Sequence, residues 1–109
     1  MSERVLAIVR NRVFGDKTLK HVLELLASAA EDDGSRINVS VRTLAEDCEV
    51  TAKTIQRTLR KAKKLGILRL MCRELGPLPR IYSLDVPYLA TYPLTHVGRL
   101  REEHLGAGP

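Results

Sequence analysis

Two short segments with helical periodicity lie about three residues apart near the middle of this 109-residue chain. They cover residues 41–48 and 52–65, and each carries apolar or small side chains three or four positions apart. Those side chains are Val41, Leu44, Ala45 and Cys48 in the first segment, and Ile55, Thr58, Leu59, Ala62 and Leu65 in the second. Because the connection is so short, the two helices are expected to pack across each other, and the small Ala45 permits close approach of their backbones.

Hydroxyl or carboxylate residues precede the predicted helices, where they accept hydrogen bonds from free backbone N–H groups. Asp16 precedes an apolar stripe over residues 19–30, Ser40 precedes the first short helix and Thr51 precedes the second. Gly66 follows the second helix, at the position where a left-handed residue commonly ends a helix. The sequence therefore predicts three capped helices.

A hairpin is predicted after the third of these helices. Apolar and polar residues alternate from 67 to 72, residues 81–84 have strand composition, and a Gly- and Pro-rich segment separates the two. These patterns predict an antiparallel hairpin over residues 67–84. Residues 37–39 (Ile-Asn-Val) are a candidate for a further short strand.

The two ends of the chain carry weaker patterns. Residues 5–13 fit either a helix or a strand, since Val5, Leu6, Val9 and Val13 recur at helical spacing and Val9-x-Asn11-x-Val13 also permits a strand. Pro87 and Pro93 indicate an irregular connection. Residues 95–105 predict a last helix with Val97, Leu100 and Leu105 on its apolar stripe, ending at Gly106.

The net charge of +5 originates in one window of the sequence. Residues 50–73 contain eight lysines or arginines and no acid, whereas residues 16–49 carry eight acids and four bases. On a helical wheel at 100° per residue, the strong hydrogen-bond donors of helix 52–65, with the exception of Lys63, lie opposite its apolar face. Such a cationic face fits the phosphate-lined groove of a DNA duplex, and a merely solvated face is the alternative.

The side chains on this face have the chemistry that DNA contacts require. Arginine pairs with guanine and glutamine with adenine, as Arg57, Arg60 and Gln56 would allow, although half or more of such contacts go to phosphate. Threonines at the start of the helix can donate to phosphate beside free backbone N–H groups. The predicted DNA-binding residues are Ser40, Thr51, Lys53, Thr54, Gln56, Arg57, Arg60, Lys61, Lys64, Arg69, Arg73 and Arg80.

Together these segments resemble the winged helix-turn-helix family, in particular the helix-turn-helix domains of phage and plasmid replication proteins and related bacterial regulators. The resemblance implies binding to duplex DNA, with helix 52–65 as the recognition helix and hairpin 67–84 as the wing. Glu49 stands where many members carry glycine, so a turn of a different type is expected if that position requires a positive φ. The resembling residues are Asp32-Asp33-Gly34, Ser40, Leu44-Ala45, Thr51-x-x-Thr54-Ile55-Gln56-Arg57-x-Leu59, Leu65-Gly66-Ile67-Leu68 and Tyr82-x-Leu84.

The expected fold is therefore α+β: a mainly helical winged helix-turn-helix with a small hairpin wing and flanking terminal helices. Residues 16–85 form the expected DNA-binding domain, between an N-terminal flanking segment (1–15) and a C-terminal connection and helix (86–109). The expected function is sequence-specific binding of double-stranded DNA by a transcriptional regulator. The alternatives are a plasmid or phage replication or partition protein, and a winged-helix protein-interaction module.

A homodimer is favoured as the binding species, because one recognition helix supplies limited affinity for DNA. The apolar stripes at the two ends of the chain are the candidates for its interface, although they also suit packing on each other within one chain. The sequence shows no pattern that indicates a pocket for an effector molecule. Regulation is therefore expected through occupancy of the DNA or through a regulatory protein partner.

Other classes of site have little support in the sequence. We expect no catalytic residues, no cofactor and no metal, since Cys48 and Cys72 are not part of a four-ligand zinc set and fit buried thiols. His96 and His104 are eight residues apart, too far for a metal pair at i, i+4, and His21 is expected to be exposed.

The remaining expectations concern the class and location of the protein. Aromatic residues make up 4% of the chain, which disfavours a stacking platform for single strands. With no apolar run of membrane-spanning length and no signal-peptide pattern, the protein is expected to be cytoplasmic, either nucleoid-associated in a bacterium or encoded by a plasmid or phage.

Overall fold

The structure is a computed structural model that describes residues 2–72 and 81–107. Within these residues six helices and two strands follow one another, which confirms the mainly helical α+β fold that the sequence predicts. The helices are α1 (Glu3–Arg10), α2 (Lys17–Ala29), α3 (Val41–Cys48), α4 (Ala52–Lys64), α5 (Val86–Leu89) and α6 (His96–Ala107); the strands are β1 (Leu68–Cys72) and β2 (Ile81–Leu84).

Helix α2 lies at the centre of the core and contacts α1, α3 and α4. Full burial of one aliphatic side chain contributes about 1.5–3 kcal/mol to stability, so the stripe of apolar residues on α2 supplies much of the driving force for folding. Leu44 of α3 and Ile55 and Ala62 of α4 are also buried in this core. The predicted α2 stripe is confirmed, since Leu19, Val22, Leu23, Leu26, Ala27 and Ala30 are all buried.

The segment whose pattern fits a helix or a strand forms helix α1 as far as Arg10, whereas Arg12 beyond it makes a single antiparallel bridge to Leu94 and Val13 is exposed. The Ser2 hydroxyl accepts a hydrogen bond from the Val5 N–H at 3.1 Å and donates one to an Asp32 carboxylate oxygen at 2.9 Å. Val5 and Val9 are fully buried, and the helix packs against α2. Tertiary burial on one helical face decides between the two alternatives that the spacing left open.

All three predicted N-caps are confirmed. The side chains of Asp16, Ser40 and Thr51 accept hydrogen bonds from the backbone N–H three residues further on. Gly66 follows α4 with a φ of 81°, as predicted for a residue that ends a helix. Leu65 caps the end of α4 and is 39% exposed, so it lies at the edge of the apolar side rather than in the core.

The connection between α3 and α4 turns through a left-handed glutamate. Glu49 has a φ of 57° and a ψ of 41°, and the Val50 N–H donates to the Ala45 carbonyl at 3.1 Å. The same arrangement ends α4, where Gly66 is left-handed and the Ile67 N–H donates to the Ala62 carbonyl. The expected change of turn type is therefore wrong, because Glu49 adopts the conformation that favours glycine.

The predicted hairpin is present as strands β1 and β2, which pair antiparallel with Leu68 opposite Leu84 and Leu70 opposite Tyr82. A bulge between Leu70 and Cys72 shifts the register at Met71. The predicted Gly- and Pro-rich loop lies outside the described residues.

The short strand predicted at residues 37–39 is reduced to a single bridge. Ile37 exchanges two backbone hydrogen bonds of 2.9 Å with Tyr82, on β2. The bridge does not extend because Arg36 before it is left-handed, with a φ of 57°, and Ser40 after it already caps α3.

The segment after β2 differs from the irregular connection predicted there. Asp85 caps the one-turn helix α5, and Pro87 fits into its first turn, where a backbone N–H is not required. The last helix begins at His96 after Thr95, whose hydroxyl accepts the Gly98 N–H at 2.8 Å. The predicted end at Gly106 is wrong, since α6 runs to Ala107; a glycine in a helix costs only about 1 kcal/mol.

Replacing Ile55 by Ala should lower the free energy of unfolding by about 2–5 kcal/mol, because the side chain is fully buried and leaves a cavity. Chemical denaturation followed by far-UV circular dichroism measures the change. Leu65→Ala, at the exposed end of the same helix, is the matched control and should cost less than about 1 kcal/mol. Equal losses in the two variants would contradict the orientation of α4.

Replacing Glu49 by Gly should raise the free energy of unfolding by about 1 kcal/mol, because glycine removes the left-handed strain but has a more flexible unfolded state. The reciprocal change, Gly66→Ala, should lower it by a similar amount, since an added Cβ meets no atom closer than 3.9 Å and only the φ is unfavourable. Thermal unfolding compares the two variants. A destabilised Glu49→Gly protein would contradict the assigned conformation.

Candidate nucleic-acid interface

Helices α3 and α4 contact each other directly, and their packing fixes the direction in which α4 faces. Ala45 of α3 and Ile55 of α4 are buried, and Val50 in the connection packs partly buried against the same core. Three side chains of α4 besides Ile55 are also buried, namely Thr58, Leu59 and Ala62. One side of α4 is therefore attached to the protein, and the opposite side faces solvent.

The predicted donors of α4 lie on the solvent side. Most of them are exposed: Lys53, Gln56, Arg57, Arg60, Lys61 and Lys64. Thr58 is buried, as its place in the apolar stripe predicts, and its hydroxyl donates to the Thr54 carbonyl at 2.8 Å.

The C-terminal half of α4 borders an open basic groove of about 630 Å³. Five cationic side chains line it: Arg57, Arg60, Lys61, Lys63 and Lys64. No acidic side chain of the described residues lines this groove. So many like charges along one wall favour a polyanion as the ligand.

Intramolecular contacts divide the cations into engaged and free groups. The Lys61 ammonium lies 2.8 Å from an Asp16 carboxylate oxygen. The Lys63 ammonium lies 5.5 Å from the centre of the Tyr82 ring, within cation–π range. Arg69 of β1 approaches Asp85 at 3.5 Å. Within the described residues, the Lys53, Arg57, Arg60 and Lys64 side chains make no such contact, so their charges are fully available to a ligand.

The predicted phosphate-binding hydroxyls act as helix caps in the free protein. Ser40 and Thr51 are exposed and accept the N–H groups of Thr43 and Thr54 at 3.0 and 3.2 Å. The Thr51 and Thr54 hydroxyl oxygens are 3.0 Å apart. These groups lie at the starts of α3 and α4, where free backbone N–H groups favour an anion.

One arginine near this surface is absent from the predicted set. Arg42 of α3 is exposed, two residues after Ser40, and pairs with Glu46 at 3.1 Å. It belongs to the acidic part of the sequence, so the charge window gave no signal for it, and its i, i+4 spacing to Glu46 predicts only an ion pair within the helix. The predicted residues Arg73 and Arg80 lie outside the described part of the chain.

The candidates for other chemistry are dispersed. Cys48 is half-buried rather than fully buried, and burial raises the pKa of its thiol, with a smaller contribution from Asp47. His21 is exposed, as predicted, and His96 is exposed as well. Among residues 2–72 and 81–107, no group of three or more His, Cys, Asp or Glu side chains is placed to hold a metal ion. No helix in that part of the chain is long and apolar enough to span a membrane.

Asp16 connects the cap of α2 to the cationic helix, and its ionisation should make stability depend on pH. Hydrogen bonds from the Lys61 side chain and the Leu19 N–H lower the pKa of Asp16 below its ordinary value. The stabilisation is therefore present above the unfolded-state pKa and is lost as the pH falls through the lower folded-state pKa.

We expect Asp16→Ala to unfold at lower denaturant than wild type at pH 7, with a loss of about 1 kcal/mol from the missing cap. Asp16→Asn retains a capping oxygen and should lose less, but should lack the acid-dependent change. Denaturation from pH 7 down to pH 2 tests both variants. Identical pH profiles for Asp16→Asn and wild type would contradict the role given to the carboxylate.

Comparison with known proteins supports this arrangement. A family model described as a helix-turn-helix domain matches residues 17–68, from the start of α2 to the start of β1, and no curated protein matches the chain. The two-stranded hairpin that follows α4 is consistent with a winged helix. In helix-turn-helix domains the second helix of the motif contacts DNA, and the helix at the corresponding position in the matched residues is α4. The family model thus identifies residues 17–68 as similar to a helix-turn-helix domain.

Proposed function

We propose that this protein binds double-stranded DNA sequence-specifically and acts as a transcriptional regulator. Helix α4 lies in the major groove, and the hairpin of β1 and β2 contacts the DNA beside it as a wing. The observation that carries the proposal is the cationic, solvent-facing side of α4 next to a buried side that attaches it to the core.

The free polar side chains of α4 form one continuous stripe. Lys53, Gln56, Arg57, Arg60 and Lys64 follow one another at intervals of one, three or four residues. The stretch from Lys53 to Arg60 is about 10 Å long at 1.5 Å per residue, which spans about three base-pair steps of a duplex. Gln56 and the two arginines are of the types that contact base edges, so this stretch is the proposed source of sequence specificity.

Phosphate contacts would surround this stripe. The caps Ser40 and Thr51, together with Thr54, lie at two helix starts, where hydroxyl and backbone N–H groups can approach the same anion. Lys61 and Arg69 have carboxylate partners and are exposed, so they contribute charge at the edges of the interface. We propose that they position the protein on the backbone without selecting a sequence.

The proposal extends to the organisation of the chain. Residues 16–85 form the DNA-binding domain, and segments 1–15 and 86–109 flank it. We propose that the protein has no catalytic activity and binds DNA in the cytoplasm. It would bind as a homodimer, with one copy on each of two half-sites. A protein-interaction module fits less well, because the exposed side of α4 is cationic and polar rather than apolar.

In-vitro selection from a random duplex library at near-physiological salt tests the function directly. Enrichment of an inverted repeat with half-sites about one helical turn apart would support a dimeric, sequence-specific regulator. Enriched direct repeats would instead favour a replication or partition protein. Retention without enrichment would contradict sequence specificity, and no retention would leave the interaction module as the better interpretation.

Arg57→Ala and Arg60→Ala should each weaken binding to the selected sequence by about 1–3 kcal/mol without unfolding the domain. Both side chains are exposed, so their removal leaves the core intact. Fluorescence anisotropy with labelled duplex measures the affinity, and thermal unfolding confirms the fold. Arg10→Ala, an exposed arginine of α1, is the matched control and should bind as wild type does. Wild-type affinity in the Arg57→Ala, Arg60→Ala double variant would contradict the proposed interface.

A further inference from the structure

The two apolar stripes at the ends of the chain differ in how far the structure buries them. The α1 stripe is part of the core, since Val5 and Val9 are fully buried and α1 packs against α2. In α6, Val97 and Leu100 are instead 52% and 53% exposed, and the burial of Leu105 lies outside what the structure describes. These two side chains lie three residues apart, so they share one side of the helix.

Helix α6 is held to the rest of the chain by the opposite side. The Arg12 guanidinium pairs with Glu102 at 3.0 Å, and Arg101 donates to the Asn11 side-chain oxygen at 3.0 Å. Gly98 packs so closely on Asn11 that an added Cβ would lie 2.5 Å from the Asn11 carbonyl oxygen. On a helical wheel, Leu100 lies about 150° away from the centre of this attached side.

The charged residues beside Leu100 form a self-complementary pattern, in which the positive charge of one copy can face the negative charge of another. Arg99 and Glu103 are both exposed and lie on the same flank of the exposed apolar side. Within the described residues, neither forms an ion pair. If two α6 helices run antiparallel about a two-fold axis near Arg101, Arg99 of each copy faces Glu103 of the partner subunit. A parallel two-fold arrangement would instead bring this flank of one copy against the opposite flank of the partner subunit, so Arg99 and Glu103 would have no complementary charge to face.

We propose that two copies of this chain pair through antiparallel α6 helices. Leu100 lies beside the two-fold axis, Val97 extends the apolar contact, and two Arg99–Glu103 pairs flank it. The inference rests on the proposed function for its purpose, which is to bring two copies of α4 to one duplex, but the pairing itself does not require DNA.

The pairing should be weak in the absence of DNA. One pair of short helices buries less area than the roughly 800 Å² per partner of a standard interface, so a micromolar dissociation constant is expected. Two adjacent half-sites would raise the effective concentration of one copy near the other and stabilise the pair on DNA. An interface of this strength matches a regulator whose dimer forms at its binding site.

Sedimentation velocity of the full chain over a concentration series tests the pairing. Wild type should shift from monomer to dimer at micromolar concentrations, and Leu100→Asp should raise the dissociation constant at least about tenfold. Met71→Asp, which changes an even more exposed apolar side chain on β1, is the matched control and should pair as wild type does. A monomeric wild type at hundreds of micromolar, or a Leu100→Asp protein that pairs like wild type, would overturn the proposal.

A charge exchange tests the antiparallel register. Arg99→Glu and Glu103→Arg should each raise the dissociation constant about tenfold by placing like charges opposite each other, and the double variant should return it close to the wild-type value. A double variant that pairs no better than the single variants would overturn the register. Circular dichroism confirms that each variant is folded.

Binding of Leu100→Asp to a single half-site separates this proposal from the proposed function. Loss of pairing with retained half-site binding is the expected result. A wild-type protein that pairs as proposed but binds no duplex would contradict the DNA-binding function and leave the α6 interface standing. A wild-type protein that binds a half-site but never pairs would overturn the α6 interface alone.

Discussion

The burial of one side of α4 is the interaction on which the rest of the structure depends. Ile55, Leu59 and Ala62 pack into the core that α2 organises, and the short turn after α3 leaves α4 little freedom to rotate. At 100° per residue, once these three positions face inward, the cations between them must face outward. The same packing thus stabilises the fold and orients the candidate interface. A substitution in the core would therefore also alter the orientation of α4 and, through it, the affinity for a ligand.

The acids near the interface divide its cations into distinct kinds of group. Asp16 caps α2 and pairs with Lys61, and Asp85 caps α5 and approaches Arg69. Each carboxylate therefore joins a helix start to a cation at the border of the basic surface. Exposed pairs of this kind contribute little to stability, typically up to about 1 kcal/mol, but they reduce charge repulsion in the free protein. Among the residues that the structure describes, Lys53, Arg57, Arg60 and Lys64 have no such partner and retain their charge for a ligand.

Features set by local chemistry could be predicted from the sequence, and features set by tertiary contacts could not. The N-caps at Asp16, Ser40 and Thr51 and the buried stripe of α2 follow from side-chain type and spacing, and all were predicted correctly. Glu49 was not, because its left-handed conformation is imposed by the packing of α3 on α4 against its own preference. The bridge at Ile37 likewise depends on a partner strand far along the chain. The exposed side of α4 could be predicted from a helical wheel. The ion pair between Lys61 and Asp16 could not, because the two residues are far apart in the sequence and meet only in the folded chain.

The terminal stripes give the clearest case of what spacing alone leaves undetermined. Val5 and Val9 in α1, and Val97 and Leu100 in α6, have similar patterns, yet only the first pair finds a place in the core. The difference arises because α2 offers a complementary apolar side to α1, while Asn11 and Arg12 hold α6 through polar contacts on its other side. A small domain has one core to fill, and the stripe that remains outside it keeps its apolar surface in water. That surface is the part of the fold that a second copy is best placed to cover, and its hydrogen bonds run to the segment after α1 rather than to α4. Pairing there would add a second recognition helix without altering the first.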